Sequence, residues 1–475
     1  MQKVPVRRLI PLSLIAASAA CTLGPQYQHP TDRLENRWIA QVPGQAVAVG
    51  LKVGWESLHD PILLELQSRA ARNSPSVDQA VARILQARAT LSSDRSSMAP
   101  ALNGAIAYSQ AGQTVAGSVF GAQTATGGKQ GSLDASWEVD LFGKYRRTVQ
   151  GAKAKVEARA ADLADAHLSL TAEVADLYIQ YRGCEILEEI YVGQARSQQD
   201  TARFTRASAS AGFTAPAEAD LADAAAASMR SSLLDQQGQC DVLLKSLVSL
   251  TASGEPELRR LLRGRTRQLP RPGLMDLAKV PADLLRRRPD IVSQERELAA
   301  ASAGIGVAVA DLYPSLSLSG SVSASDAIRQ WSFGPSLSLP LFDAGRRRAN
   351  LRSAHAAFDL QLATYRQTVR EAVLDVEQAL VRLAVARDRE QDAARAAAGY
   401  AANFQAAIRQ FEAGSTNMLD RETARRNALD AQISLASLRT MSVRYWIALY
   451  KAAGGGWSEN AGPESSLPAS RSPAP

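Results

Sequence analysis

Alternation with a period of two is the first pattern in this chain. After Pro314, Leu316, Leu318, Val322 and Ala324 share one face of an extended run, and Ser315, Ser317, Ser319, Ser321 and Ser323 share the other. A returning run sets Trp331, Phe333, Leu337, Leu339 and Leu341 against Ser332, Ser336 and Ser338. Earlier, Leu133, Ala135, Trp137, Val139 and Leu141 alternate with Ser132, Asp134, Ser136, Glu138 and Asp140, and Leu102, Ile106 and Tyr108 mark a fainter partner. This period predicts strands, arranged as two hairpins over residues 101–141 and 315–341. Each run is about ten residues, the length a tilted strand needs to cross a bilayer. A soluble sandwich alternates as well. Here the apolar face carries aromatics at the strand ends and the other face is Ser, Asp and Glu, which suits lipid on one side and water on the other.

The longer period belongs to helices. Phe358, Leu362, Tyr365, Val369, Ala372, Val376, Ala379, Leu383 and Ala386 follow a 4-3 spacing, the seam of a coiled coil. Leu163, Leu170, Val174, Leu177, Tyr181, Cys184 and Tyr191 repeat it, interrupted by His167 and Glu188. The chain thus reads as an internal two-fold repeat. Repeat one (75–253) has a helix from Pro75, a hairpin, a long helix at 143–211 and a return helix at 216–253. Repeat two (289–453) has a helix from Pro289, a hairpin, a long helix at 345–412 and a return helix at 416–453. Helix 143–211 spans about 100 Å, and 75–98 and 216–253 about 36 and 57 Å, so two short helices end to end match one long one. Segments 21–74 and 254–288 remain for an equatorial girdle, and 454–475 reads as a disordered tail.

Four strands cannot close a barrel, and open sheet edges are not tolerated in lipid. Three copies supply twelve strands. The expected fold class is an α+β membrane protein: a long antiparallel α-helical coiled-coil barrel plus four transmembrane β-strands per chain, with a homotrimer forming a 12-stranded β-barrel. By chain direction, the turns at Gly212 and Gly414 fall at the ends of the long helices away from the strands.

Composition adds a compartment. Lys3, Arg7 and Arg8 precede an apolar run from Leu9 to Ala20, so residues 1–20 read as a signal peptide. Cys21 follows Ser18, Ala19 and Ala20, which points to lipidation of its thiol after cleavage. The formal charge is +7, of which the leader holds three positives, leaving +4 without a clustered basic patch; nucleic-acid binding is excluded as a reading. Cys184 and Cys240 lie about 28 residues before and about 26 after the Gly212 turn, on the apolar seams of antiparallel helices. They are expected to form a disulfide in an oxidising compartment. The four histidines match no metal or catalytic spacing, so no catalytic residue, metal or cofactor is expected. The Arg286–Arg288 run reads as part of the girdle ahead of a helix at Pro289, with Asp290 complementing its dipole.

Several stretches carry a resemblance: 21–25 (CTLGP), 135–143 (ASWEVDLFG), 281–291 (PADLLRRRPDI), 313–316 (YPSL) and 339–345 (LPLFDAG). The chain resembles the TolC-type outer-membrane factors of tripartite efflux systems, in their NodT- and OprM-like lipoprotein branch, over about residues 21–455. The resemblance implies a lipid-anchored trimer in the outer membrane of a Gram-negative bacterium, with a periplasmic helical tunnel. It implies partnership with a periplasmic adaptor protein and an inner-membrane pump, and passive export. It also implies that the hairpin tips dock the adaptor and close a gate lined by acids six and nine positions after the second glycine. Asp420 matches the first place and Thr423 stands at the second; Glu218 holds the equivalent place in repeat one. Neighbouring Arg421, Arg425 and Arg426 are expected to hold the closed state by ion pairs. The alternative is a structural coiled-coil lipoprotein without a pore.

Overall fold

The computed structural model describes residues 22–30, 38–40, 54–114, 123–270, 272, 288–326 and 328–455. The expected signal peptide, the acylation site Cys21, Arg286, Arg287 and the chain after residue 455 lie outside the described residues. In chain order come α1 (Pro61–Asn73), α2 (Pro75–Ser96), β1 (Ala101–Thr114), β2 (Gln123–Val139), α3 (Lys144–Ser210), α4 (Pro216–Thr251), α5 (Glu255–Leu262) and α6 (Pro289–Ala310). Then follow β3 (Ser315–Ser325), β4 (Arg329–Ser338), α7 (Arg346–Glu412) and α8 (Met418–Ala452). The chain divides into two compact units.

The first unit takes the N-terminal segment to Asp32, Val81–Ala161 and Val292–Gln367. Its sheet is antiparallel throughout, in the order β1-β2-β3-β4. Register keeps like with like. Leu133 pairs with Val322, Trp137 with Leu318 and Val139 with Leu316, while Asp134 faces Ser321, Ser136 faces Ser319 and Glu138 faces Ser317. Across the next ladder Leu316 meets Leu337 and Val322 meets Trp331. A slip of one residue would send every serine to the apolar side. Pro335 lies in β4, an edge strand, where a missing N–H is tolerated. At 14 and 17 residues, β1 and β2 exceed the expected ten. Their far ends are rich in Gly, Thr and Gln, so they pair without an apolar pattern to announce it.

The second unit takes Arg33–Ala80, Asp162–Ile291 and the chain from Thr368. Its core joins Leu63 and Leu66 of α1, Val174 and Tyr178 of α3, Leu244 and Leu247 of α4, Leu258 and Leu262 of α5, and Trp446 and Tyr450 of α8, all buried. The 4-3 seam of α7 is buried here too, with Ala372, Val376 and Leu383 at 3 % exposure or less. Helices α1 and α5 fall within the segments assigned to the girdle. The signal for α1 was present: Asp60 caps it, accepting from the Ile62 and Leu63 amides at 3.0 and 3.3 Å, Pro61 opens it, and Ile62, Leu63, Leu66 and Ala70 repeat at helical spacing. The expected tail begins two residues too early, because the Tyr450 hydroxyl donates to the Gly455 carbonyl at 2.6 Å. Arg288 is a structural residue: it grips Asp290 at 2.8 Å and Asp375 at 3.2 Å and donates to the Ala452 carbonyl near the end of α8.

Candidate functional site

In the first unit, the sheet leaves its apolar face exposed. Ile106 is 93 %, Trp331 80 % and Phe333 74 % exposed, and Leu102, Leu133, Val322 and Leu337 are exposed with them. The opposite face is polar and internally bonded. Ser132 donates to Asp134 at 2.9 Å, and the Ser321 and Ser332 hydroxyls meet at 3.0 Å across β3 and β4. An apolar patch of this extent marks a surface built to be covered by lipid or protein. Among the described residues, strands β1 and β4 each have a free edge.

The N-terminal segment lies at the foot of this sheet. Leu23 donates its amide to the Phe142 carbonyl, and Arg147 donates to the Leu23 and Gly24 carbonyls at 3.1 Å. Thr22 packs so closely on Gly143 that a Cβ there would stand 2.7 Å from it. The residue after Cys21 is therefore held where β2 passes into α3. Further on, Tyr27 and His29 both reach Glu295, at 3.3 and 2.9 Å.

The hairpin turns belong to the second unit. Gly212 and Gly414 have φ of 78° and 72°, the left-handed region where a side chain is strained. Both close Schellman motifs: Phe213 bonds back to Ser208 and Gly212 to Ala209, and Ser415 to Gln410 and Gly414 to Phe411. Asn417 then caps α8, its side chain accepting from the Asp420 amide at 2.8 Å, and Thr416 donates to the Asp420 carboxylate at 3.0 Å. Asp420 and Glu218 each stand in the first turn of a return helix.

Arg421 and Arg425 do not serve Asp420. Both turn to Glu422, at 3.0 and 3.6 Å, and both donate to the Thr201 hydroxyl of α3, at 2.7 and 3.0 Å. Helix geometry explains this for Arg425, which lies three residues from Glu422 but five from Asp420. Gln198 of α3 completes the set, donating to Glu422 at 2.6 Å. The guanidiniums stack on Phe411 and Phe404 of α7, at 4.7 and 5.3 Å from the ring centres. Arg425 is only 4 % exposed, and burial pulls its guanidinium below the ordinary value. Beside it, Ala202, Ala222 and Met418 form a buried apolar cluster with Phe411. The arrangement ties α3, α7 and α8 together near the turns through one carboxylate and two guanidiniums. The sequence reading missed Glu422, Gln198 and Thr201, because nothing local marks a contact made across more than 200 residues.

Cys184 of α3 and Cys240 of α4 are joined by a disulfide, with 5.6 Å between their Cα atoms, and both are buried. Two residues before Cys184, Arg182 is fully buried. It pairs with Glu185 at 2.7 Å, donates to the Leu262 carbonyl at 2.7 Å, and stacks on Tyr178, whose hydroxyl donates to Asp60. Bonds to α4, α5 and the cap of α1 thus converge on two turns of α3.

Comparison with known proteins extends this picture. The family model for outer membrane efflux proteins matches residues 66–253 and 280–455. The chain is 29 % identical to nodulation protein T of Rhizobium leguminosarum bv. viciae, over 93 % of this chain and 92 % of that one. It is 30 % identical to outer membrane protein OprJ of Pseudomonas aeruginosa, over 93 % and 94 %. The solved outer-membrane channel OprN superposes with a TM-score of 0.81 at 31 % identity, covering 92 % of this chain and all of that one. An exposed apolar sheet, long helical hairpins and a match across both halves of the sequence lead to one assignment: this chain belongs to the outer membrane efflux protein family.

Proposed function

We propose that three copies of the chain join the free edges of β1 and β4 into a twelve-stranded barrel, and that their helices form a coaxial tunnel. The single observation that carries this is the sheet: lipid-compatible on one face, serine-lined on the other, and unpaired at both edges. Leaving those edges open in a bilayer would strand unpaired N–H and C=O groups, each costing several kcal/mol. Exposed apolar residues on the helices, Leu374, Val381 and Val385 of α7 and Val242 of α4, support the same lateral association. The trimer is the passive exit duct of a tripartite efflux system. A periplasmic adaptor docks at the hairpin tips, and an inner-membrane pump supplies the energy.

Acyl chains on Cys21 fit this reading, because Thr22 is held at the foot of the sheet. Closure falls to the Glu422 cluster, which fastens α8 to α3 close to the turns. Three copies of Asp420 around the axis favour cations. Native mass spectrometry of the full-length protein in mild detergent tests the assembly: a trimer is expected, and a monomer or dimer rejects the barrel. The non-conducting lipoprotein alternative offers no role for a ten-residue amphipathic strand set and predicts no current in a bilayer.

A further inference from the structure

The helical end of the sheet carries more positive charge than its acids can match. Asp140, Asp311 and Asp343 stand there, engaged with Arg146 at 3.1 Å, Lys144 at 2.8 Å and Arg347 at 3.6 Å, and Glu138 accepts from the Tyr145 hydroxyl at 3.0 Å. Arg346, Arg348 and Arg352, in the first two turns of α7, are exposed, and their guanidiniums have no partner among the described residues. Arg348 and Arg352 are one helical turn apart, so they repel each other unless an anion lies between them. Directly ahead of the three, Leu341 is 86 % and Phe342 92 % exposed, the last apolar residues in line with the sheet's outer face.

The dimensions agree with a membrane boundary. Helical rise carries the chain about 9 Å from Arg346 to Arg352. The headgroup layer on one side of a bilayer is about 5–8 Å deep. With Leu341 and Phe342 at the edge of the hydrocarbon, the arginines occupy the depth of the lipid phosphates. Guanidinium is planar, weakly hydrated and able to hold a phosphate through two parallel N–H bonds. We propose that Arg346, Arg348 and Arg352 form a binding surface for the phosphate groups of anionic phospholipids in the leaflet that faces the helices. This rests on the reading of the sheet as membrane-embedded.

The test titrates short-chain phosphatidylglycerol, short-chain phosphatidylcholine and inorganic phosphate into the full-length protein in non-ionic detergent, followed by calorimetry. Phosphatidylglycerol is expected to bind at least about tenfold more tightly than phosphatidylcholine. R346Q/R348Q/R352Q is expected to lose about fivefold per arginine. R346K/R348K/R352K, which keeps the charge but loses the paired N–H bonds, is expected to bind between the wild type and the glutamine variant. Equal binding of the two lipids, or an unchanged glutamine variant, overturns the proposal. So does inorganic phosphate that displaces phosphatidylglycerol, which would make this a site for a soluble anion. Failure of the underlying reading is separable, because the wild-type protein would then pass no current in a planar bilayer whatever lipid it binds.

Discussion

In the proposed duct, closure turns on Glu422. Among the described residues it is the only carboxylate bonded to Arg421 and Arg425, and it also accepts from Gln198. Glu422→Gln leaves two largely buried guanidiniums without a counter-charge, at a cost of about 3–5 kcal/mol to the fastened state. Resting conductance should therefore rise by about tenfold or more, read in planar bilayers. Asp420 sits outside the cluster, so Asp420→Asn should weaken cation preference and leave resting conductance near wild type. Should Asp420→Asn open the channel while Glu422→Gln does not, the two roles are reversed. Asp165 offers a pH test away from the turns. Burial raises its carboxyl pKa, and Asp290 adds to the rise. The folded state then holds a proton that the unfolded state releases, so stability falls as pH rises from the ordinary carboxylate range through the raised value. Asp165→Asn should stabilise the protein at neutral pH by at most about 1 kcal/mol, and thermal melts should show the gain vanishing in acid.

At the scale of elements, the disulfide fixes α3 against α4. Its cysteines are 56 residues apart, and closing a loop of that length is worth about 2–4 kcal/mol. Thiol labelling of the denatured, unreduced protein should find Cys184 and Cys240 blocked, and Cys184→Ser with Cys240→Ser should lower the melting temperature. Two reactive thiols would reject the bridge. Both cysteines stood on legible seams at matching heights, so this contact was visible in spacing alone. Strong periods were legible for the same reason: β3, β4, α3 and α7 write their partners' faces into their own sequence. The ends of β1 and β2 carried no such period, since Gly and Thr pair through backbone. Helix α1 had its cap and its stripe, yet lay inside a segment read only as part of the girdle. The Glu422 cluster was illegible in principle, because its members come from helices far apart in sequence and their charges look like any solvated helix face. Arg182→Met tests the other cluster of this kind. It strips Glu185 and the Leu262 carbonyl of a shared partner, and hydrogen exchange in α5 should accelerate if Arg182 is what holds that helix to α3.

At the scale of the molecule, one chain is incomplete. Among the described residues its sheet has two free edges and an exposed apolar face, and in the proposed assembly other copies supply the missing strands. The family assignment places this in the outer membrane and gives the tunnel its purpose, the passage of exported solutes. The proposed duct is continuous but fastened at rest by the Glu422 cluster. Single-channel recording of the purified full-length protein in planar bilayers tests it most directly. A small, cation-preferring resting current that grows in Glu422→Gln is the predicted result. A bilayer that stays silent for both the wild-type protein and Glu422→Gln would contradict it.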